Sequence, residues 1–361
     1  MAIRNPSPAR TFARSARPRR AFSLVELLVV ILIIGIIVAI VLPALGGVRD
    51  AAKEADTKQL TTQVATAASS FYNDNRRSPG YFTPQEMGDA TNQNRGMSAM
   101  QNAMLDLAGG VVRTGTAGAI SIGPSTVVGR QVSFLPEAVG AAGTKAYFAP
   151  NAKNFKRQDG SEGGTRAGDQ VHAAVPELVD SWGQPILAWA EDPTAKQAVQ
   201  AVNDFASFAA PGNNPNASSA RFYLVSNYAL LESNAFGKQR RDQNALSILS
   251  PTAASNVTSL AGALGSPGAP DDPTKNLSAI LPTRSRGAFI AHSAGRDGVI
   301  LSRQGKGTRV IENADTNPVL YFGANFKSLP GPAGTVIRDN TGKAVSQDVL
   351  AAFDDIIASS N

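Results

Sequence analysis

From Phe22 to Leu45 the chain reads FSLVELLVVILIIGIIVAIVLPAL, 24 residues in which Glu26 is the only charge. A helix rising ~1.5 Å per residue over this run exceeds a hydrocarbon core of roughly 30 Å, so it can span a bilayer. A run this long and apolar must lie in lipid or against other apolar helices.

Six arginines, Arg4, Arg10, Arg14, Arg17, Arg19 and Arg20, precede the run with no acid among them. A basic flank holds its own side of a membrane helix in the cytoplasm, which predicts that everything after about Gly47 lies across the inner membrane. The same six arginines account for the net charge of +6, because the remaining 28 of 34 basic residues face 28 acidic ones. A pI near 9.6 ordinarily suggests a nucleic-acid binder. Here the excess charge sits in the leader, and no nucleic-acid partner is expected. With no cysteine, the chain has no disulfide, thiolate nucleophile, thiolate metal ligand or lipid-modified cysteine.

A cleaved secretory signal is one alternative, and Arg19-Arg20 hints at twin-arginine export. It fits less well, because the run is longer than the roughly 7–15 residues of a signal core, contains Glu26 and is followed by no clear small-residue cleavage site. An unprocessed anchor is the other alternative.

Glu26 distinguishes these readings. A carboxylate inside a spanning helix costs ~2.5–3.5 kcal/mol or more and usually marks a partner, yet no cation lies within the span. Cleavage between Ala21 and Phe22 would give Phe22 a new α-amino group, largely protonated at neutral pH. Phe22 and Glu26 are four residues apart on one helical face, and a neighbouring copy displaced along the axis can bring its own amine to the same carboxylate. Desolvation then makes an unpaired Glu26 costly and a paired one position-specifying. A Glu resting in the headgroup region at the N-terminal end of a helix dipole is the plainer alternative.

The stretch AFSLVELLVVILIIGIIVAIVLPAL resembles the class III signal of type IV pilins and type II secretion pseudopilins. The resemblance implies cleavage by a prepilin peptidase before Phe22, methylation of the new amine, and an assembly role for Glu26 at the fifth mature position. Pro43 falls where the family has a helix-bending proline. Ala21 stands where the family usually has glycine, and the leader is longer than many. Independently of the resemblance, Pro43 removes the hydrogen bond to the carbonyl of Ala39 and predicts a kink or local melting, although spanning helices also tolerate prolines.

Beyond Gly47, apolar positions Val48, Ala52, Ala55, Leu60, Val64, Ala67 and Phe71 keep near-helical spacing, and Glu54 and Lys58 form a favourably ordered pair. The segment from Asn73 to Pro79 supplies stop signals. The expected organisation is a leader over 1–21, a membrane and assembly helix over 22–47, its amphipathic continuation over 48–79 and a head over 80–361. A helix from Phe22 to about Asn75 would be roughly 80 Å long. FYNDNRRSPGYF, from Phe71 to Phe82, also resembles the pseudopilin end of this helix.

The expected fold class is α+β, a long N-terminal helix on an antiparallel β-sheet head with large insertions. Helices are expected over Arg95–Leu107, Thr194–Ala209 and Ser346–Ser359. Strands are expected over Pro185–Ala190, Arg221–Leu231, Gly287–His292, Gly298–Ser302, Thr308–Glu312, Val319–Phe322 and Thr335–Arg338. Stretches rich in Ala, Gly, Ser, Pro and Asn, at Gly109–Gly143, Pro211–Ser219 and Pro251–Pro273, read as loops or insertions.

Two spots in the head resemble the major pseudopilin of type II secretion. Leu178-Val-Asp-Ser-Trp-Gly-Gln-Pro-Ile186 is similar to its Trp-Gly turn, with Ser181 replacing a usual proline. Ser293-Ala-Gly-Arg-Asp297-Gly298, followed by Asn313-Ala-Asp315, is similar to its calcium loop. The resemblance implies Asp297 and Asp315 as carboxylate ligands, with carbonyls completing the six to eight oxygens that calcium takes. Asp297-Gly298 reads equally as a hairpin turn between two strands. Trp182 is expected as a core plug beside its turn.

His172 and His292 are the only histidines. No hydrolase elbow, zinc-protease motif or complete phosphate loop accompanies them, so both are expected to be structural and the protein is not expected to be an enzyme. The sequence thus points to a filament subunit in the inner membrane, with its head in the periplasm. Its partners are copies of itself, other pilins or pseudopilins, a prepilin peptidase and an assembly platform. The alternative is a membrane-tethered binding or catalytic head that uses a pilin-type signal as anchor.

Overall fold

The computed structural model describes residues 23–124, 131–140, 146–157, 175–195, 199, 202–207, 220–227, 230–231, 243–247, 249, 257–265, 284–302, 350 and 353–360. Its chain divides into two compact units, Met1–Ala51 and Ala52–Asn361, and the boundary falls inside helix α1 (Leu24–Asn75).

In the first unit, α1 is apolar all round. Its best 18-residue window has a mean hydropathy of 3.4. Large side chains from Leu24 (78% exposed) to Leu42 (63%) have no cover within the chain. The helix runs unbroken through Pro43, so the proline removes one backbone donor without ending the helix.

In the second unit, the remainder of α1 becomes amphipathic. Leu60, Val64, Ala67, Ala68 and Phe71 are buried, whereas Val48, Ala52 and Ala55 are exposed. The stripe legible in the sequence therefore covers a core only from about Leu60 onward. Glu54 and Lys58 form the expected exposed ion pair, 2.5 Å apart. After Asn75 come three short helices, α2 (Pro84–Met87), α3 (Ala90–Arg95) and α4 (Ala99–Leu107). The helix expected over Arg95–Leu107 is thus two helices. Gly96 closes α3 in the left-handed region (φ 76°), and Ser98 with Gln101 forms a capping box that starts α4.

The described strands are β1 (Gly109–Val112), β2 (Ile120–Ile122), β3 (Val132–Val139), β4 (Phe155–Lys156), β5 (Glu177–Leu178), β6 (Leu187–Ala190), β7 (Ala206–Ser207), β8 (Phe222–Tyr223), β9 (Phe289–Ser293) and β10 (Ile356–Ser360), and the central sheet has the order β10-β9-β6, all antiparallel. Both faces of β6 and β9 are covered, so these strands read as continuous apolar runs. Ala188, Phe289 and Ala291 face a core with Leu60, Val64 and Phe71 of α1 and Met100 and Met104 of α4. Leu187, Trp189 and Ile290 face a second core built with Phe205, Phe222, Leu260 and Phe353.

Several expected elements take other forms. Gly109–Gly143, read as loop, contains a three-stranded antiparallel sheet of β1 (Gly109–Val112), β2 (Ile120–Ile122) and β3 (Val132–Val139), ordered β1-β3-β2. Its register shifts between Gly109 and Val111, and Gly110 (φ 101°) passes so close to Phe134 that a Cβ would meet that ring at 2.4 Å. The expected Thr194–Ala209 helix is a turn at Pro193–Ala195, one helical turn at Val202–Phe205 and a strand at Ala206–Ser207. That strand pairs in parallel with Phe222–Tyr223, the extended part of Arg221–Leu231 among the described residues; Leu224–Asn227 is a 3₁₀ turn.

Within Pro251–Pro273 lies a helix, Val257–Leu264. Gly298–Ser302 forms turns, with a single bridge from Ser302 to Ser247. Of the expected C-terminal helix, Leu350 is in a 3₁₀ conformation, 353–355 are irregular and the rest that is described belongs to strand β10. The strands expected over Thr308–Glu312, Val319–Phe322 and Thr335–Arg338, and the loop over Pro211–Ser219, lie outside the described residues.

Candidate functional site

Ala21 and Phe22 lie outside the described residues, and the description begins at Ser23. Leu24 is the first helical residue of α1, which places Ser23 at the N-cap and Glu26 in the first turn. The Ser23 backbone N–H donates to Glu26 Oε2 at 2.9 Å. The carboxylate thereby satisfies one of the donors that a helix start leaves open, and it sits at the positive end of the helix dipole. Its donor, Ser23, is the residue that follows Phe22 in the sequence. Apart from this hydrogen bond, the surrounding side chains are exposed and apolar.

In the head, the two resemblance motifs meet. Asp180 is buried (2% exposed), and its Oδ1 accepts the N–H groups of Trp182 and Gln184, both at 2.9 Å. Asp180 Oδ2 accepts the hydroxyl of Ser293 at 2.7 Å, and that hydroxyl oxygen accepts the N–H of Gly295 at 3.1 Å. One carboxyl therefore closes the Trp-Gly turn and ties it to the end of β9. Burial pushes Asp180 up to about 6, against the pull of these hydrogen bonds. The turn also holds α1, because Ser181 Oγ donates to Asp56 Oδ2 at 2.7 Å and Lys153 Nζ reaches the same oxygen at 2.9 Å. The Lys153 and Ser181 contacts hold the Asp56 carboxyl below its usual range. Trp182 is buried, as expected for a plug.

Asp297 is not in a hairpin. Its Oδ1 accepts the N–H of Val299 at 2.8 Å, and its own N–H donates to Asp354 Oδ2 at 2.9 Å. Gly295 (φ 68°) lets this turn approach Asp354, whose carbonyl oxygen a Cβ would meet at 2.1 Å. Burial pushes Asp297 up to about 6, with the charges of Asp354 and Asp355 adding to the rise. Asp315 lies outside the described residues, so it is neither joined to Asp297 nor separated from it. Among the described residues, no group of three or more His, Cys, Asp or Glu is arranged to hold a metal ion. Asp297 alone does not make a calcium site.

His292 is fixed from both sides. Trp189 Nε1–H donates to its Nδ1 at 3.4 Å, which makes Nε2 the protonated nitrogen, and Nε2 meets Asp355 Oδ1 at 2.7 Å. Both side chains are almost fully buried (1% and 0% exposed). Burial raises the Asp355 carboxyl and the histidine contact opposes the rise. The histidine ties β9 to the residue that precedes β10, and among the described residues its second nitrogen meets the Trp189 indole. His172 lies outside the described residues. Asp180, Asp354 and Asp355 escaped the sequence reading; the acid opening Asp-Ser-Trp-Gly was the one local signal, as an Asx-type turn.

Residues 16–42 match the family model described as the prokaryotic N-terminal methylation motif, the class III signal of type IV pilins and pseudopilins. The chain thus carries the signal of a pilin- or pseudopilin-type precursor on an apolar, single-pass helix, followed by an α+β head. Such a signal implies processing by prepilin peptidase and pilin-type assembly in general terms. No curated protein and no solved structure matches the chain.

Proposed function

We propose that this protein is a structural filament subunit. It is cut between Ala21 and Phe22 by a prepilin peptidase, methylated at Phe22, and polymerised through α1 into a type II secretion pseudopilus or a type IV pilus-like fibre. The observation that carries this reading is the lone Glu26 in the first turn of a helix that is apolar on every side and uncovered by its own chain. An apolar surface of that extent requires lipid before assembly and other helices after it. The carboxylate fixes the axial register by meeting the Phe22 amine of an adjoining copy.

The arginine leader favours a cytoplasmic N-terminus, with the head on the periplasmic side of the inner membrane. Copies of the chain, other pilins or pseudopilins and an inner-membrane assembly platform are its partners. The Asp180 turn and its tie to Ser293 favour a pseudopilin of the major type, because both motifs of that resemblance belong to one hydrogen-bonded unit. Calcium on Asp297 and Asp315 belongs to the same reading. Its test is the melting temperature of the full chain in detergent, which falls when chelator is added if the ion is held and stays constant if it is not.

For the assembly claim, the Glu26→Ala protein is expected to be cleaved and inserted normally but to be absent from sheared filaments. Recovery of the variant in filaments at the wild-type level would remove the pairing.

A further inference from the structure

We draw no further inference here: the strongest candidate, the side-chain cluster of Asp297, Asp354 and Asp355 where the turn after β9 meets the residues before β10, belongs to the site already described, and among the described residues no group of three or more such side chains is arranged to hold a metal ion.

Discussion

Asp180 shows how one buried carboxyl can organise a head while being disfavoured in its charged form. Its folded pKa of about 6 stands above the ordinary 3.8, so between those values the folded chain holds a proton that the unfolded chain has lost. The linkage sign follows: stability declines as pH rises from about 4 to about 6 and is level above that. An asparagine at this position keeps an acceptor for the two turn N–H groups and a donor for Ser293, without the charge. Asp180→Asn is therefore expected to match wild type at pH 4 and to exceed it at pH 7.5, read as melting temperature across that range. Parallel curves for the two proteins would show that the carboxyl is charged in the fold at no cost. At the same scale, Glu26 was legible as a site because a lone acid in an apolar run has no ordinary explanation. Asp180, Asp354 and Asp355 were not, since their significance comes from neighbours such as Ser293 and Asp297 that lie far away in sequence.

Among the elements, α1 is the one the sequence defined best, within two residues at its start, because a 52-residue helix accumulates local signal. Its docking to the head rests on Phe71, which is buried against Met100 and Met104 and meets the Tyr147 ring edge-on at 5.2 Å. Phe71→Ala is expected to cost about 3–5 kcal/mol in urea unfolding of the full chain, whereas Ala55→Ser on the exposed side stays within about 0.5 kcal/mol. Equal effects at both positions would mean that this half of α1 is not docked through Phe71. The Gly96 stop and the Ser98–Gln101 capping box were readable signals of a broken helix that periodicity alone had bridged. β10 was not readable as a strand. Asp-Asp-Ile-Ile-Ala-Ser-Ser lies in a stretch whose sequence reads as helix-forming, and pairing from Ile356–Ser293 to Ser360–Phe289 overrides that preference. The Gly-rich sheet β1-β3-β2 was hidden for a related reason, since Gly110 answers to the close approach of Phe134 and not to strand propensity.

For the whole molecule, the division into a membrane-type unit and a head explains why the α+β class could be read while the course of the head could not. The first unit is specified by composition, which a sequence displays directly; the second is specified by long-range contacts among short elements. The division also separates an uncovered apolar helix from a head that holds its own cores. Assembly through Glu26 depends on cleavage creating an amine within its reach. Mass spectrometry of the native N-terminus tests this directly. A mature chain that starts at N-methylated Phe22 is expected, whereas one that keeps Met1 and its arginine leader rules the pairing out.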